Sequence, residues 1–135
     1  MYYSQEEHKI SDLLGKTLSG VVATEDEITF TTVDGEVYKM LHFQNCCESV
    51  YIESIVGDLE DLVGEPILLA EEAANLFDII RESEKVPTSE DSHTWTFYKL
   101  ATRKGYVDIR WYGTSNGYYS ESVDFVRVDP DDLED

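Results

Sequence analysis

The sequence predicts an α+β fold: a single domain on an antiparallel sheet of about six or seven strands, with short helices at its periphery. Three observations carry that expectation. Asp34-Gly35 stands between two β-branched runs, the C-terminal third alternates apolar and polar residues, and two short apolar stretches carry helix start and stop signals. With 135 residues and 41% apolar content, the chain is long enough to bury a core without disulfides or a structural metal. Residues 1–128 read as the domain, and Asp129 to Asp135 as a solvated acidic tail.

Taken in order, Ser4 and Glu7 fit a capping box ahead of Ile10, Leu13 and Leu14, with Gly15 as the stop, which predicts a short helix. Thr17 to Thr24 and Glu27 to Thr32 are rich in β-branched residues and read as strands. Through Val33-Asp34-Gly35-Glu36, Ile28 to Thr31 joins Val37 to Met40 as a hairpin. In Glu48 to Ile55, Val50, Ile52 and Ser54 alternate with Tyr51, Glu53 and Ile55, the pattern of a further strand. Asp58 to Gly64 reads as one or two helical turns, with acids at the positive N-terminal end and a closing glycine. Ile67 to Ala70 fits either a buried strand or the lead into a helix through Asn75 and Phe77, since so short a run does not separate the two periods. Ser83 to Ser92 has the composition of a loop.

The last third predicts a three-strand antiparallel meander: Thr94 to Leu100, Tyr106 to Tyr112 and Tyr118 to Val128, with turns at Arg103-Lys104-Gly105 and Thr114 to Gly117. Alternation puts Val107, Ile109 and Trp111 on one face. It puts Tyr106, Asp108, Arg110 and Tyr112 on the other.

Charge narrows the function classes. Ten Lys plus Arg face 29 Asp plus Glu, a formal net charge of −19. Between Lys39 and Arg81 there is no lysine or arginine, yet nine carboxylates fall in that interval. Carboxylates are rarely buried unpaired, so most of these face water and project a negative field. Direct nucleic-acid binding is disfavoured, because it draws on counterion release by Lys and Arg, and anionic membranes are disfavoured likewise. The N-terminus has neither a basic start nor an apolar run, and no stretch is long enough to span a bilayer, which points to the cytoplasm. Cys46 and Cys47 are adjacent, so a disulfide between them would be strained, and they read as reduced thiols.

No catalytic motif is present, and no cofactor or metal is expected. His42, Cys46, Cys47 and Glu48 bring zinc-ligand types together, but adjacent cysteines seldom aim at one ion. A cysteine nucleophile with His42, His8 or His93 as base lacks an orienting third group. Glu53, Asp58, Glu60 and Asp61 lack the alternating spacing of a calcium loop. Ser115 to Ser120 combines a turn with tyrosines and hydroxyls, a composition suited to recognition.

Three stretches carry a resemblance: Phe43 to Glu53 around Cys46-Cys47-Glu48; Gly57-Asp58-Leu59-Glu60-Asp61-Leu62 through Pro66-Ile67-Leu68; and Trp95-Thr96-Phe97-Tyr98-Lys99 with Arg110-Trp111-Tyr112-Gly113 through Tyr118-Tyr119-Ser120. Over about residues 17 to 126 the chain resembles a family of small uncharacterised proteins found largely in bacteriophages and mobile elements. That resemblance implies a phage context, in which small acidic proteins often act by blocking host machinery.

The expected function is therefore a non-enzymatic inhibitor whose carboxylates imitate a phosphate array on a basic nucleic-acid-binding host defence protein, of anti-CRISPR or anti-restriction type. The residues expected to carry it are Glu53, Asp58, Glu60, Asp61, Glu65, Tyr112, Asn116, Tyr118 and Tyr119. The alternative is a protein that binds a small ligand such as a nucleotide signal through Arg110, Tyr112 and Asn116 on the aromatic hairpin 106–120. A plain acidic scaffold is the third reading.

Overall fold

The computed structural model describes residues 6–43, 48–74, 92–115 and 122–128. Over these the chain is built from strands, and the α+β expectation is corrected: the helical content is two single 3-10 turns, Ile10–Leu13 and Leu59–Leu62. The strands are β1 (Glu6–Glu7), β2 (Leu18–Ala23), β3 (Glu27–Thr32), β4 (Val37–Leu41), β5 (Ser49–Val56), β6 (Leu69–Ala74), β7 (Ser92–Thr102), β8 (Gly105–Ser115) and β9 (Asp124–Val128). They form two antiparallel sheets, one in the order β1-β9-β4-β3-β2 and one in the order β5-β8-β7-β6.

Each predicted helix gives way for a local reason. Glu7, read as the far end of a capping box, pairs with Val126 in β1, while Ser4 lies outside the described residues. The turn that follows is capped from Lys9, whose N–H donates to Asp12 Oδ2 at 3.0 Å. The second turn matches its sequence signal more closely. Asp58 accepts from the Glu60 N–H at 3.0 Å, and Gly64 closes the segment at φ 89°. Ile67 to Ala70 resolves as the lead into β6, because Leu69 to Ala74 finds β7 as an antiparallel partner. Asn75, Phe77 and most of the Ser83 to Ser92 stretch lie outside the described residues.

The Asp34-Gly35 hairpin forms as its sequence predicts, with Gly35 at φ 91° and its N–H donating to the Thr32 carbonyl. The meander does not. Its first two strands form the β7–β8 hairpin, but the third, β9, leaves that sheet and lies between β1 and β4 in the other. Its place there is held by stacking of Phe125 on Tyr38, with ring centroids 5.5 Å apart, and by an edge contact with Phe30 at 6.0 Å.

One core joins the sheets. From the first come Ile28, Phe30, Tyr38, Met40 and Phe125; from the second come Tyr98, Leu100, Val107, Ile109 and Trp111. Trp111 Nε1 donates to Met40 Sδ at 3.2 Å across that interface. Every residue of β4 is buried, because its other face meets Val126, Val128 and Phe43. Lys39 on that face contacts Glu27 Oε2 at 2.6 Å.

Candidate functional site

With its core face filled, the four-stranded sheet offers its outer face to function. Strand register sets that face out in rows. Tyr112 sits between Tyr51 and Trp95; Arg110 sits between Ser54 and Phe97, with Ala73 beyond; Asp108 sits between Val56 and Lys99, with Glu71 beyond. Above the last two rows lies a concave groove of about 770 Å³.

A bulge in β5 determines the chemistry at its centre. Ile52 pairs with Trp111 and Ser54 with Arg110, so Glu53 is an extra residue with no partner of its own across the strand. It restores the inward direction at Ile55, which packs on the core beside Val50 and Ile52. The strict alternation expected for this strand, with Ile55 on the face of Tyr51, is thereby corrected. The freed Glu53 carboxylate lies 2.6 Å from Arg110 Nε, an ion-pair contact rather than an aligned hydrogen bond. The guanidinium is also 5.7 Å from the ring centroids of both Trp95 and Phe97. The aromatic row continues behind it, with Trp95 and Tyr112 centroids 4.8 Å apart and Tyr51 and Tyr112 5.9 Å apart. Along the groove, Lys99 approaches Asp108 at 3.9 Å and the Tyr106 ring at 5.7 Å.

The remaining acids expected at a partner surface gather around the second 3-10 turn. Asp58 and Glu60 are exposed there, while Asp61 and Glu65 are half-buried. This end is not purely anionic. Arg103 Nε lies 2.9 Å from Glu65 Oε1, and Lys104 Nζ donates to the carbonyls of Glu60 and Val63 at 3.0 and 2.8 Å. The Thr102 hydroxyl donates to the Asp61 carbonyl, tying the turn to the β7–β8 hairpin.

His42 and Glu48 form a buried polar contact, Nε2 to Oε2 at 2.7 Å, with side chains 4% and 0% exposed. His42 Nδ1 faces the Ser122 carbonyl at 2.8 Å. The pair clasps the two ends of the 42–48 connection to the approach of β9, a structural arrangement. Cys46 and Cys47 lie outside the described residues, and among the described residues no group of three or more His, Cys, Asp or Glu is placed to hold a metal. Of the other bases considered with them, His8 contacts Asp12 at 2.9 Å, and His93 falls within β7.

Tyr112, Arg110 and Glu53 therefore share one face, while Asp58, Glu60, Asp61 and Glu65 mark one end. Asn116, Tyr118 and Tyr119 lie outside the described residues. Sequence reasoning missed Phe97, Lys99 and Ser54 as neighbours of Arg110, although counting back from the Arg103-Lys104 turn pairs Phe97 with Arg110.

Residues 11–125 match a domain of unknown function, DUF7448. The chain belongs to this family. The DUF7448 match covers β2 to β8 and the start of β9, so the groove, the acidic end and the His42–Glu48 clasp all fall within it. Neither the curated proteins nor the solved structures include a match to the chain. Among the described residues no helix is long and apolar enough to cross a membrane.

Proposed function

We propose that the chain is a non-enzymatic binding protein that engages a basic protein surface through its carboxylates. The observation that supports this reading is where its few cations go. Lys16 contacts Glu36 at 2.9 Å, Lys39 contacts Glu27 at 2.6 Å, Arg103 contacts Glu65 at 2.9 Å, Arg110 contacts Glu53 at 2.6 Å and Arg127 reaches Glu36 at 3.7 Å. Lys104 is taken by backbone carbonyls. With ten cations against 29 acids, pairing of this kind leaves most of the negative charge outward and uncompensated. Such a surface speeds association with a basic partner and makes it salt-sensitive.

In its finer form, the proposal makes the partner a nucleic-acid-binding protein of host defence in a phage setting, with Asp58, Glu60 and Asp61 standing in for phosphates. Tyr112 supplies an aromatic anchor, with Tyr118, Tyr119 and Asn116 as further candidates. The test is capture of partners at low salt, elution by a salt gradient, and competition of the captured protein with duplex DNA and with RNA. Binding that falls with salt, is displaced by nucleic acid and weakens in D58N/E60Q/D61N supports the reading. A captured protein that ignores both salt and nucleic acid would sink it.

A further inference from the structure

We infer that the groove on the outer face of the four-stranded sheet is a binding site for a small aromatic zwitterion, in the size class of an aromatic amino acid. The inference goes beyond the acidic-surface reading and stands without it.

The site is built rather than incidental. Arg110 projects from the central strand β8 and is about one-third exposed. It is held from three sides: Glu53 reaches it from the bulge, and the Trp95 and Phe97 rings flank the guanidinium. Its carboxylate contact among the described residues is made through Nε, which leaves the planar Nη edge to take an anionic group with two parallel hydrogen bonds. Phe97 lies directly across the strand pair, so a ligand ring bound at that edge packs against the Phe97 and Arg110 pair.

Charge balance selects the zwitterion. The lining sets Glu71, Glu72 and Asp108 against Lys99 and Arg110, with Glu53 against the Arg110 Nε, while the chain as a whole is at −19. A purely anionic ligand gains at Arg110 but is opposed by the adjacent carboxylates and by the overall field; a purely cationic one meets Arg110 and Lys99. A ligand carrying both charges avoids each penalty. Asp108 is placed for the cationic group, since it lies two residues from Arg110 on the same face and its own contact with Lys99 is long, at 3.9 Å. Both side chains of that contact are about half-exposed, so it is readily exchanged for a ligand ammonium.

The test is a titration of the full chain with L-tryptophan, read by amide chemical shifts in β7 and β8. Indole-3-propionate and tryptamine serve as single-charge controls. The expected result is saturable binding of tryptophan, with both controls weaker. R110Q weakens tryptophan by about tenfold or more, as loss of a charge-assisted hydrogen bond requires. D108N, an exposed change that leaves the core untouched, narrows the gap between tryptophan and indole-3-propionate. Three results overturn the proposal: no saturable shift with tryptophan, wild-type affinity in a folded R110Q, or indole-3-propionate binding as tightly as tryptophan. None of these bears on partner capture by the acidic surface, so the two readings fail separately.

Discussion

Glu53 reaches Arg110 because β5 carries one residue more than β8 opposite it: between the pairs Ile52–Trp111 and Ser54–Arg110, Glu53 is left over, and its carboxylate lies 2.6 Å from the guanidinium Nε. The same extra residue lets Ile52 and Ile55 both face the core. Both side chains of the ion pair are about one-third exposed, so solvent screens it. Glu53→Ala is expected to cost about 0.5–1 kcal/mol in urea denaturation, with the fold retained. A loss several times larger would mean that the bulge itself depends on the carboxylate.

A second close approach lies just beyond β5. Gly57 has φ 111°, and a Cβ there would lie 2.6 Å from the Tyr106 carbonyl oxygen. Neither the dihedral nor the backbone contact can relax cheaply. Gly57→Ala is expected to destabilise by about 2 kcal/mol or more. Gly20, whose added Cβ meets nothing within 4 Å, is the control. Gly20→Ala is expected to be neutral or to stabilise by up to about 1 kcal/mol.

The His42–Glu48 contact is buried on both sides, so removing one partner leaves a buried polar atom of the other without it. His42→Ala and Glu48→Ala are each expected to cost about 1–3 kcal/mol. The double variant should cost less than their sum, because both single changes remove the same contact. Additive losses in a double-mutant cycle would show that the two side chains act independently.

Lys16 and Glu36 predict a pH window. The hydrogen bond from Lys16 holds Glu36 below the ordinary carboxylate value, and the same bond raises Lys16 above the ordinary lysine value. For Glu36, whose folded value is depressed, the stabilisation is complete above the unfolded value near 4.5 and is lost as pH falls through the folded one. For Lys16, raised on folding, it is present below the unfolded value near 10.5 and lost as pH rises through the folded one. Glu36→Gln should therefore lower thermal stability between these limits and converge on the parent at the acid end. An equal deficit at low pH would assign the loss to packing.

Tyr98 is fully buried, and its hydroxyl has no aligned hydrogen-bond partner. Burial pushes its ionisation well above the ordinary tyrosine value, and the nearby Glu72 charge adds to that. Tyr98→Phe removes an unsatisfied hydroxyl while keeping the ring, and is expected to be neutral or mildly stabilising in chemical denaturation. A loss above about 1 kcal/mol would reveal a hydrogen bond from that hydroxyl to Glu72 in solution.

Legibility in the sequence followed interaction range. The Asp34-Gly35 hairpin, the β7–β8 hairpin and the split of β8 into Val107, Ile109 and Trp111 against Asp108, Arg110 and Tyr112 were readable, because turn chemistry and a period of two act between near neighbours. The Asp58 cap is legible too, whereas the first turn is capped from Lys9 and Asp12 while Glu7 pairs in β1. A cap satisfies the first few N–H groups whether one turn follows or several, and Ile10–Leu13 stops after one, with Gly15 bonded to Ile67 from the approach to β6.

The candidate site divides the same way. Alternation alone puts Arg110 and Tyr112 on one face, whereas nothing local in the sequence brings Glu53 to Arg110. A bulge leaves no mark in composition. It is decided by which register buries Ile55 against the partner strand, and that partner lies more than fifty residues away in the chain.

By itself, then, the sequence determined that this is a strand-rich, strongly acidic chain with two hairpins and an aromatic polar face, since charge and short-range periodicity need no knowledge of partners. Only the tertiary structure decided that β9 crosses to the other sheet, that the helices shrink to single turns, and that Glu53 reaches Arg110. Those outcomes turn on which distant strands bury one another's apolar faces, a competition settled by packing across the whole core rather than by any local stretch of residues.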